Sequence, residues 1–395
     1  MMISAAILAR RLSALHSASF FGIGIYMTFF PVWLQSKELG AATIGVILAI
    51  PIMTRIVATA PLMSLADRQS GPRTLLMASH AAQIVGFAVL LLTEHPVGIA
   101  VLVAALALAQ AAVIPANDLV TTDAVRDHPQ LHYGRIRTWG SVSFLIAGIV
   151  AGYVVDAVGP WIIVWLLAIV PLSAILATHL AVRPGPRSAP RPASAGSAAP
   201  LDKRWPKALW LVMAAAALTQ ASHAAVYAFG SIHWRAIGFS DTVIGYLWAV
   251  GVVAETVVFY AFGKAVGRGS TAMGLLIAGA VAAMIRFGAL ATDPGLIPTF
   301  ALQVLHGLTF GASHLGTMAA ISALAPDHVR GRAQGVLGST IALAMACGTI
   351  MSGIIYRSVG PLVFAAMVPL GALGLIFALL ATRAMAKHRS VGATG

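Results

Sequence analysis

Ionisable residues interrupt the apolar runs of this 395-residue chain at few places, and two of those places correspond. Ile44-Gly45 leads to Arg55 in one run, and Ile244-Gly245, 200 positions later, leads to Glu255 in another. Arg286 and His306 stand inside two further runs. An ionisable group inside a membrane span costs roughly 3 kcal/mol or more unless it is paired or faces a cavity, so such residues mark pathways and coupling sites. A shielded carboxylate can be either charged or protonated within the membrane, which makes Glu255 the expected proton carrier, with a fixed helix-joining ion pair as the alternative. No basic residue lies within a turn of it on its own helix, so its partner comes from elsewhere, Arg286 or Arg55. Arginine does not titrate in this range and can hold a carboxylate bidentately, so both arginines are candidate substrate ligands or counter-ions.

Helical spacing groups further candidates. Trp248, Glu255, Phe259 and Phe262 fall on one stripe, which either faces an aromatic substrate or packs on neighbours. Gln220, His223 and Tyr227 share a face whose counterparts in the first run are Ser19, Gly22 and Tyr26, and polar residues there point to a cavity or a facing helix. His306, Thr309, Ser313 and Thr317 lie within about 80° of arc if the helix is regular, with His314 about 80° from His306 on the other side. Histidine titrates near neutral pH, so His306 is a candidate for proton coupling and His314 for substrate binding, a satisfied buried imidazole being the alternative for each. Asp118, after Pro115-Ala116-Asn117, is either a second proton site or a helix-end gating pair near Asp123, Arg126 and Asp127. Asp67, Arg68, Arg135 and Arg137 are expected to form loop pairs that favour one access state. Gly148 with Gly152, and Gly307 with Gly311, permit close helix contact.

The elements that must position these residues follow from composition. With 59% hydrophobic and 9% charged residues and a mean hydropathy of +0.89, most of the chain belongs in lipid. Apolar runs long enough to span hydrocarbon recur at 12–34, 42–65, 74–93, 97–120, 136–158 and 161–182, then at 208–232, 242–262, 271–291, 295–324, 333–356 and 360–383. The expectation is an all-α polytopic membrane protein of twelve transmembrane helices in two pseudo-symmetric six-helix bundles. Its domains are residues 1–182, a basic Pro-rich cytoplasmic linker at 183–207, and residues 208–395. The first run is too long for a signal-peptide core and is expected to remain.

The net charge of +13 does not imply nucleic acid. Of the 25 Lys and Arg, only Lys37, Arg235 and Arg357 fall on one side and Arg55 and Arg286 within spans, while the rest gather on the other side. The positive-inside rule then puts both termini in the cytoplasm, in a bacterial inner membrane. The single cysteine, Cys347, excludes an intramolecular disulfide and reads as a small buried packing residue. There is no phosphate-cradling loop, no H-E-x-x-H and no cluster of Cys and His, so neither an enzyme, a cofactor nor a metal site is expected.

The halves echo each other residue by residue. At an offset of 201, Ser19, Tyr26 and Trp33 meet Gln220, Tyr227 and Trp234; at 200, Ile44, Gly45, Arg68 and Ser70 meet Ile244, Gly245, Arg268 and Ser270. Duplicated halves with a site near the midplane are an architecture of secondary transporters. Ala66-Asp67-Arg68-Gln69-Ser70-Gly71-Pro72-Arg73 resembles the loop of the major facilitator superfamily written G-x-x-x-D-R-x-G-R-R, without its leading Gly and one terminal Arg. Trp33-Leu34-Gln35, Tyr133 to Ser141, Gly245-Tyr246-Leu247-Trp248, Gly251 to Glu255 and Leu305 to Phe310 resemble the phenylpropionate permease branch, a relative of the oligosaccharide and nucleoside proton symporters.

The resemblance implies proton-coupled symport by alternating access, carried out by a monomer on a small organic substrate. In the sugar and proton symporters of this group an acid on span eight, an Arg on span nine and a His on span ten contribute to binding and coupling, and Glu255, Arg286 and His306 occupy those spans. The branch and the two arginines favour a small, possibly aromatic, carboxylate. A neutral sugar or nucleoside fits if Glu255 consumes the arginines. Drug export and non-transporting sensing are the remaining readings.

Overall fold

Lipid offers no hydrogen-bond partner to the backbone, so apolar runs of this length must satisfy their N–H and C=O groups within helices. The computed structural model describes residues 4–66, 71–182, 205–263, 269–325 and 329–392. Asp67, Arg68 and most of the 183–207 linker lie outside the described residues. Among the described residues twelve helices are long and apolar enough to cross a membrane: α1 (Ala5–Ser36), α2 (Ala41–Ala66), α3 (Gly71–Leu91), α4 (Pro96–Asp127), α5 (Tyr133–Val158), α6 (Ile162–Ala181), α7 (Lys207–Ala236), α8 (Asp241–Phe262), α9 (Thr271–Leu290), α10 (Leu296–Leu324), α11 (Arg330–Val359) and α12 (Leu362–Ala386). The hydropathy runs thus find their helices, the main differences being polar ends that run beyond the apolar stretch.

The described residues form two compact units. In the first, residues 4–182 with Trp234–Ala249, α1 packs on α5 and α6, and α3 packs on α6. Leu12, Leu15, Leu76, Val113 and Ile136 fill one part of its core. In the second, residues 205–233 and 250–392, α7 packs on α11 and α12, and α9 packs on α12. Leu209, Met213, Ile321 and Leu337 fill one part of that core, and Val212, Leu276, Ala320 and Ala378 another. Packing partners therefore repeat at an interval of six helices, as the residue echoes suggest. Outward faces stay apolar, with Val57, Leu92, Tyr260 and Ile297 exposed, as a lipid-facing surface requires.

Within the first unit the C-terminal end of α5 meets the start of α8. Asp156 accepts from the backbone N–H of Asp241 and of Thr242, at 2.8 Å each. A carboxylate at a helix N-terminus satisfies orphan donors and complements the dipole. One helical turn on, a Cβ at Gly245 would stand 2.6 Å from the carbonyl oxygen of Gly148, so only glycine permits this approach. The close-contact reading of Gly148 and Gly152 is borne out.

In the second unit α10 is not a regular helix. Residues Gly307–Ala312 form a π-helical turn, so the stripe expected from a period of 3.6 is re-phased at its centre. All four members, His306, Thr309, Ser313 and Thr317, are nevertheless buried. A Cβ at Gly307 would lie 2.6 Å from the Ala254 carbonyl oxygen, so glycine lets α10 reach the α8 backbone. Cys347 corrects the sequence reading. It is exposed on α11, and its neighbour Ala346 is the buried residue.

Candidate functional site

Arg286 is the centre of a polar cluster inside the second unit. It comes from α9 and is only 2% exposed. Its Nη1 donates to His306 Nδ1 at 3.1 Å and to Thr309 Oγ1 at 3.3 Å, and its Nη2 donates to the side-chain oxygen of Gln303. Its Nε is buried with no partner among the described residues. Gln303, His306 and Thr309 all belong to α10, on either side of the entry to the π turn.

Donor and acceptor chemistry fixes the hydrogens of this cluster. Guanidinium has no acceptor, so His306 Nδ1 must offer a lone pair to Arg286. A neutral His306 then carries its hydrogen on Nε2, and that atom lies 3.8 Å from Glu255 Oε2. Glu255 Oε2 thus faces the Nε2–H edge of His306 from beyond hydrogen-bond distance, and the imidazole stands between the acid and Arg286. The second histidine is set the same way. His223 Nδ1 is 3.1 Å from the main-chain oxygen of Gln220, which only accepts. Neutral His223 thus receives the Thr309 hydroxyl at Nε2, at 2.9 Å. Thr309 joins His223 to Arg286.

Rings and small residues frame these bonds. Tyr227 stands 5.5 Å from His223 and 6.4 Å from His306, centroid to centroid. Gly251 of α8 faces the His306 ring, where a Cβ would come within 3.4 Å of Cδ2. Phe310 stacks on His306 at 5.4 Å and on His314 at 6.1 Å. His314 is exposed and touches the cluster only through that stack.

The first unit holds the other expected residues. Arg55 is exposed on α2, and among the described residues no acid lies within ion-pair distance of it. Tyr26 stacks on Phe30 at 4.4 Å, and its buried hydroxyl has no partner among the described residues. Trp248 is buried edge-on to Trp234, with centroids 6.3 Å apart. Asp118 accepts from the Tyr133 hydroxyl at 2.9 Å and lies 3.9 Å from Arg137 Nε, the geometry of a helix-end pair. Arg137 also covers the Phe20 ring at 3.9 Å, whereas Arg135 is exposed.

Of the residues singled out in the sequence, the structure brings together Arg286, His306, Glu255 and His223; Gln303, which joins them, was not among them. Its signal was available as a lone amide in an apolar run, one turn before His306. A buried set in the first unit was also missed. There His16 Nε2 lies 2.9 Å from Thr121 Oγ1, and Asn117 donates to Ser19 at 2.9 Å.

Comparison with known proteins bears on family and fold. Residues 10–366 match the profile of the "MFS_1 like family". The chain is 31% identical over 351 residues to the "Probable 3-phenylpropionic acid transporter" of Escherichia coli, covering 87% of this chain and 90% of that one. It is 26% identical over 319 residues to the "Maltose permease" of Geobacillus stearothermophilus, covering 80% and 79%. In fold it is similar to the nucleoside transporter NupG, with a TM-score of 0.78 at 14% identity over 96% of this chain and 99% of that one. A bacterial homologue of the human lysosomal transporter Spinster, in an inward-facing and unoccupied conformation, gives a TM-score of 0.73 at 15% identity over 97% and 98%. A duplicated set of twelve apolar helices and these likenesses lead to one assignment: the chain belongs to the MFS_1 like family of the major facilitator superfamily and is an integral membrane transporter, not an enzyme.

Proposed function

We propose that this transporter carries a small organic carboxylate into the cell together with a proton, the two halves, 1–182 and 208–395, rocking about the linker to expose the site to each side in turn. The observation that carries this reading is the series Arg286, His306, Glu255. It puts a fixed positive charge and a titratable acid at the two faces of one imidazole. When Glu255 is ionised it offsets the charge of Arg286, and when it is protonated the arginine holds an uncompensated charge that attracts an anion. Proton and anion are thereby bound together. Arg55, exposed on its helix, is a second attractor for the anion, and Tyr26, Gln220, His223, Tyr227, Trp248 and His314 supply ring faces and polar contacts. Asp118 with Arg137, together with Asp67, Arg68 and Arg135, acts in gating at the cytoplasmic face of an inner membrane, with both termini on that side. The name carried by the 31% identical relative supports an aromatic acid as cargo.

The test is uptake by proteoliposomes. 3-Phenylpropionate accumulation driven by an inward proton gradient is expected, and Glu255→Gln is expected to abolish the gradient dependence. Gradient-driven accumulation that persists in Glu255→Gln removes the acid from coupling.

A further inference from the structure

The guanidinium of Arg286 has one face only half used. A carboxylate meets arginine best side-on, one oxygen on Nε and the other on the Nη that lies on the same side, which is Nη2. In this structure Nη2 donates to the amide oxygen of Gln303, and Nε, fully buried, has no partner among the described residues. The opposite side is saturated, because Nη1 serves both His306 and Thr309. A buried donor without an acceptor is costly and uncommon unless a ligand or a movement supplies the partner.

We infer that the Nε–Nη2 edge of Arg286 is the carboxylate cradle of this transporter and that Gln303 is its place-holder, a neutral amide that covers half the edge until a substrate carboxylate displaces it. The inference rests on the organic-anion reading above and names the atoms that read the anion. The chemistry favours glutamine for this task. One amide oxygen keeps the buried cation partly satisfied, yet it cannot form the bidentate pair, so a carboxylate exchanges one hydrogen bond for two charge-assisted ones. The glutamine side chain, with three rotatable torsions, can swing away without moving the α10 backbone. His306 and Thr309 stay in place on Nη1 throughout, which holds the guanidinium plane and aims its free edge. A neutral isostere of the same acid gains no such pair, so Gln303 and Arg286 together discriminate by charge.

The test is equilibrium binding to the purified full-length protein in detergent, without a proton gradient, using 3-phenylpropionate and its neutral primary amide. Wild type is expected to bind the acid at least tenfold more tightly than the amide. Gln303→Glu supplies an internal carboxylate to the edge and is expected to weaken acid binding at least tenfold. Gln303→Ala vacates the edge and is expected to hold or increase acid affinity, with Gln303→Ser as the substitute if the alanine variant does not give a monodisperse protein. A merely structural glutamine would instead make all these variants lose affinity alike, and that result overturns the proposal. So does equal binding of acid and amide, or binding of neither, by wild type. Uptake that is indifferent to Glu255→Gln sinks proton coupling but leaves the acid–amide and Glu–Ala contrasts intact, so the two readings fail separately.

Discussion

Arg286 donates to His306 Nδ1 at 3.1 Å, and because a guanidinium can only donate, that imidazole nitrogen cannot also hold a proton while the bond lasts. The ring is therefore a positioning group with a set direction, its Nε2–H turned to Glu255. His306→Asn can place an amide oxygen near the vacated Nδ1 position, whereas His306→Leu leaves Arg286 without that acceptor. Transport by the asparagine variant should exceed that of the leucine variant by about tenfold, the rate equivalent of one buried charged hydrogen bond at about 1.4 kcal/mol. Equal losses in initial-rate uptake assays would show that the Nδ1 contact carries no part of the function.

Arg286 serves three acceptors at once, which a lysine ammonium on a flexible stem cannot reproduce with the same planar geometry. Arg286→Lys should lower uptake of 3-phenylpropionate at least tenfold despite the retained charge. Recovery of wild-type rates in that variant would mean that charge alone is enough.

The pH dependence follows from the direction of the gradient. With internal pH fixed, lowering external pH raises the fraction of transporters that load a proton on Glu255 from outside, so uptake into wild-type vesicles should rise as external pH falls. In Glu255→Gln the same pH change should leave the initial rate flat. The measurement is an external-pH series at constant membrane potential, and a parallel rise in both proteins would place the titrating group elsewhere.

Helix contact in the second unit gives a stability prediction. A side chain at Gly307 meets the α8 backbone, and backbone cannot give way as a side-chain tip can. Gly307→Val should destabilise the purified protein by about 1–3 kcal/mol, read as a lower thermal midpoint. Gly274, whose Cβ direction is open, provides the control: Gly274→Ala should leave the midpoint unchanged or raised.

Asp156 gives a local test in the first unit. Asparagine has one acceptor oxygen where the carboxylate offers two, and it carries no charge for the α8 N-terminus. Asp156→Asn should cost about 0.5–2 kcal/mol and speed hydrogen exchange at the Asp241 and Thr242 amides. Unchanged exchange at both amides would remove the cap from any account of this helix end.

Much of this was written in the chain because lipid is a demanding solvent. A residue such as Arg286 stands out in an apolar run whatever its neighbours do, and helix limits follow from hydropathy because an apolar run of about 20 residues satisfies its backbone in hydrocarbon as a helix. Pairing was less legible. Glu255 had two candidate arginines, yet it is a histidine that stands 3.8 Å from its carboxylate, since contact across helices depends on rotation, which periodicity gives only within one helix. Gln303 was legible as a lone amide in an apolar run, but its contact with Arg286 was hidden for the same reason, and the π turn beside it was hidden because its extra residue leaves no mark in composition.

That turn acts as a phase shift between two ends of one helix. Each residue of an α-helix rotates the next by about 100°, so the extra residue taken up within Gly307–Ala312 turns Gln303 and His306 by about that angle relative to Thr317 from where regular winding of the same sequence would put them. The C-terminal half of α10 can stay seated on its core while the N-terminal half is indexed separately against Arg286, so the cluster's geometry is set by a helix that counts one residue more than its packing requires.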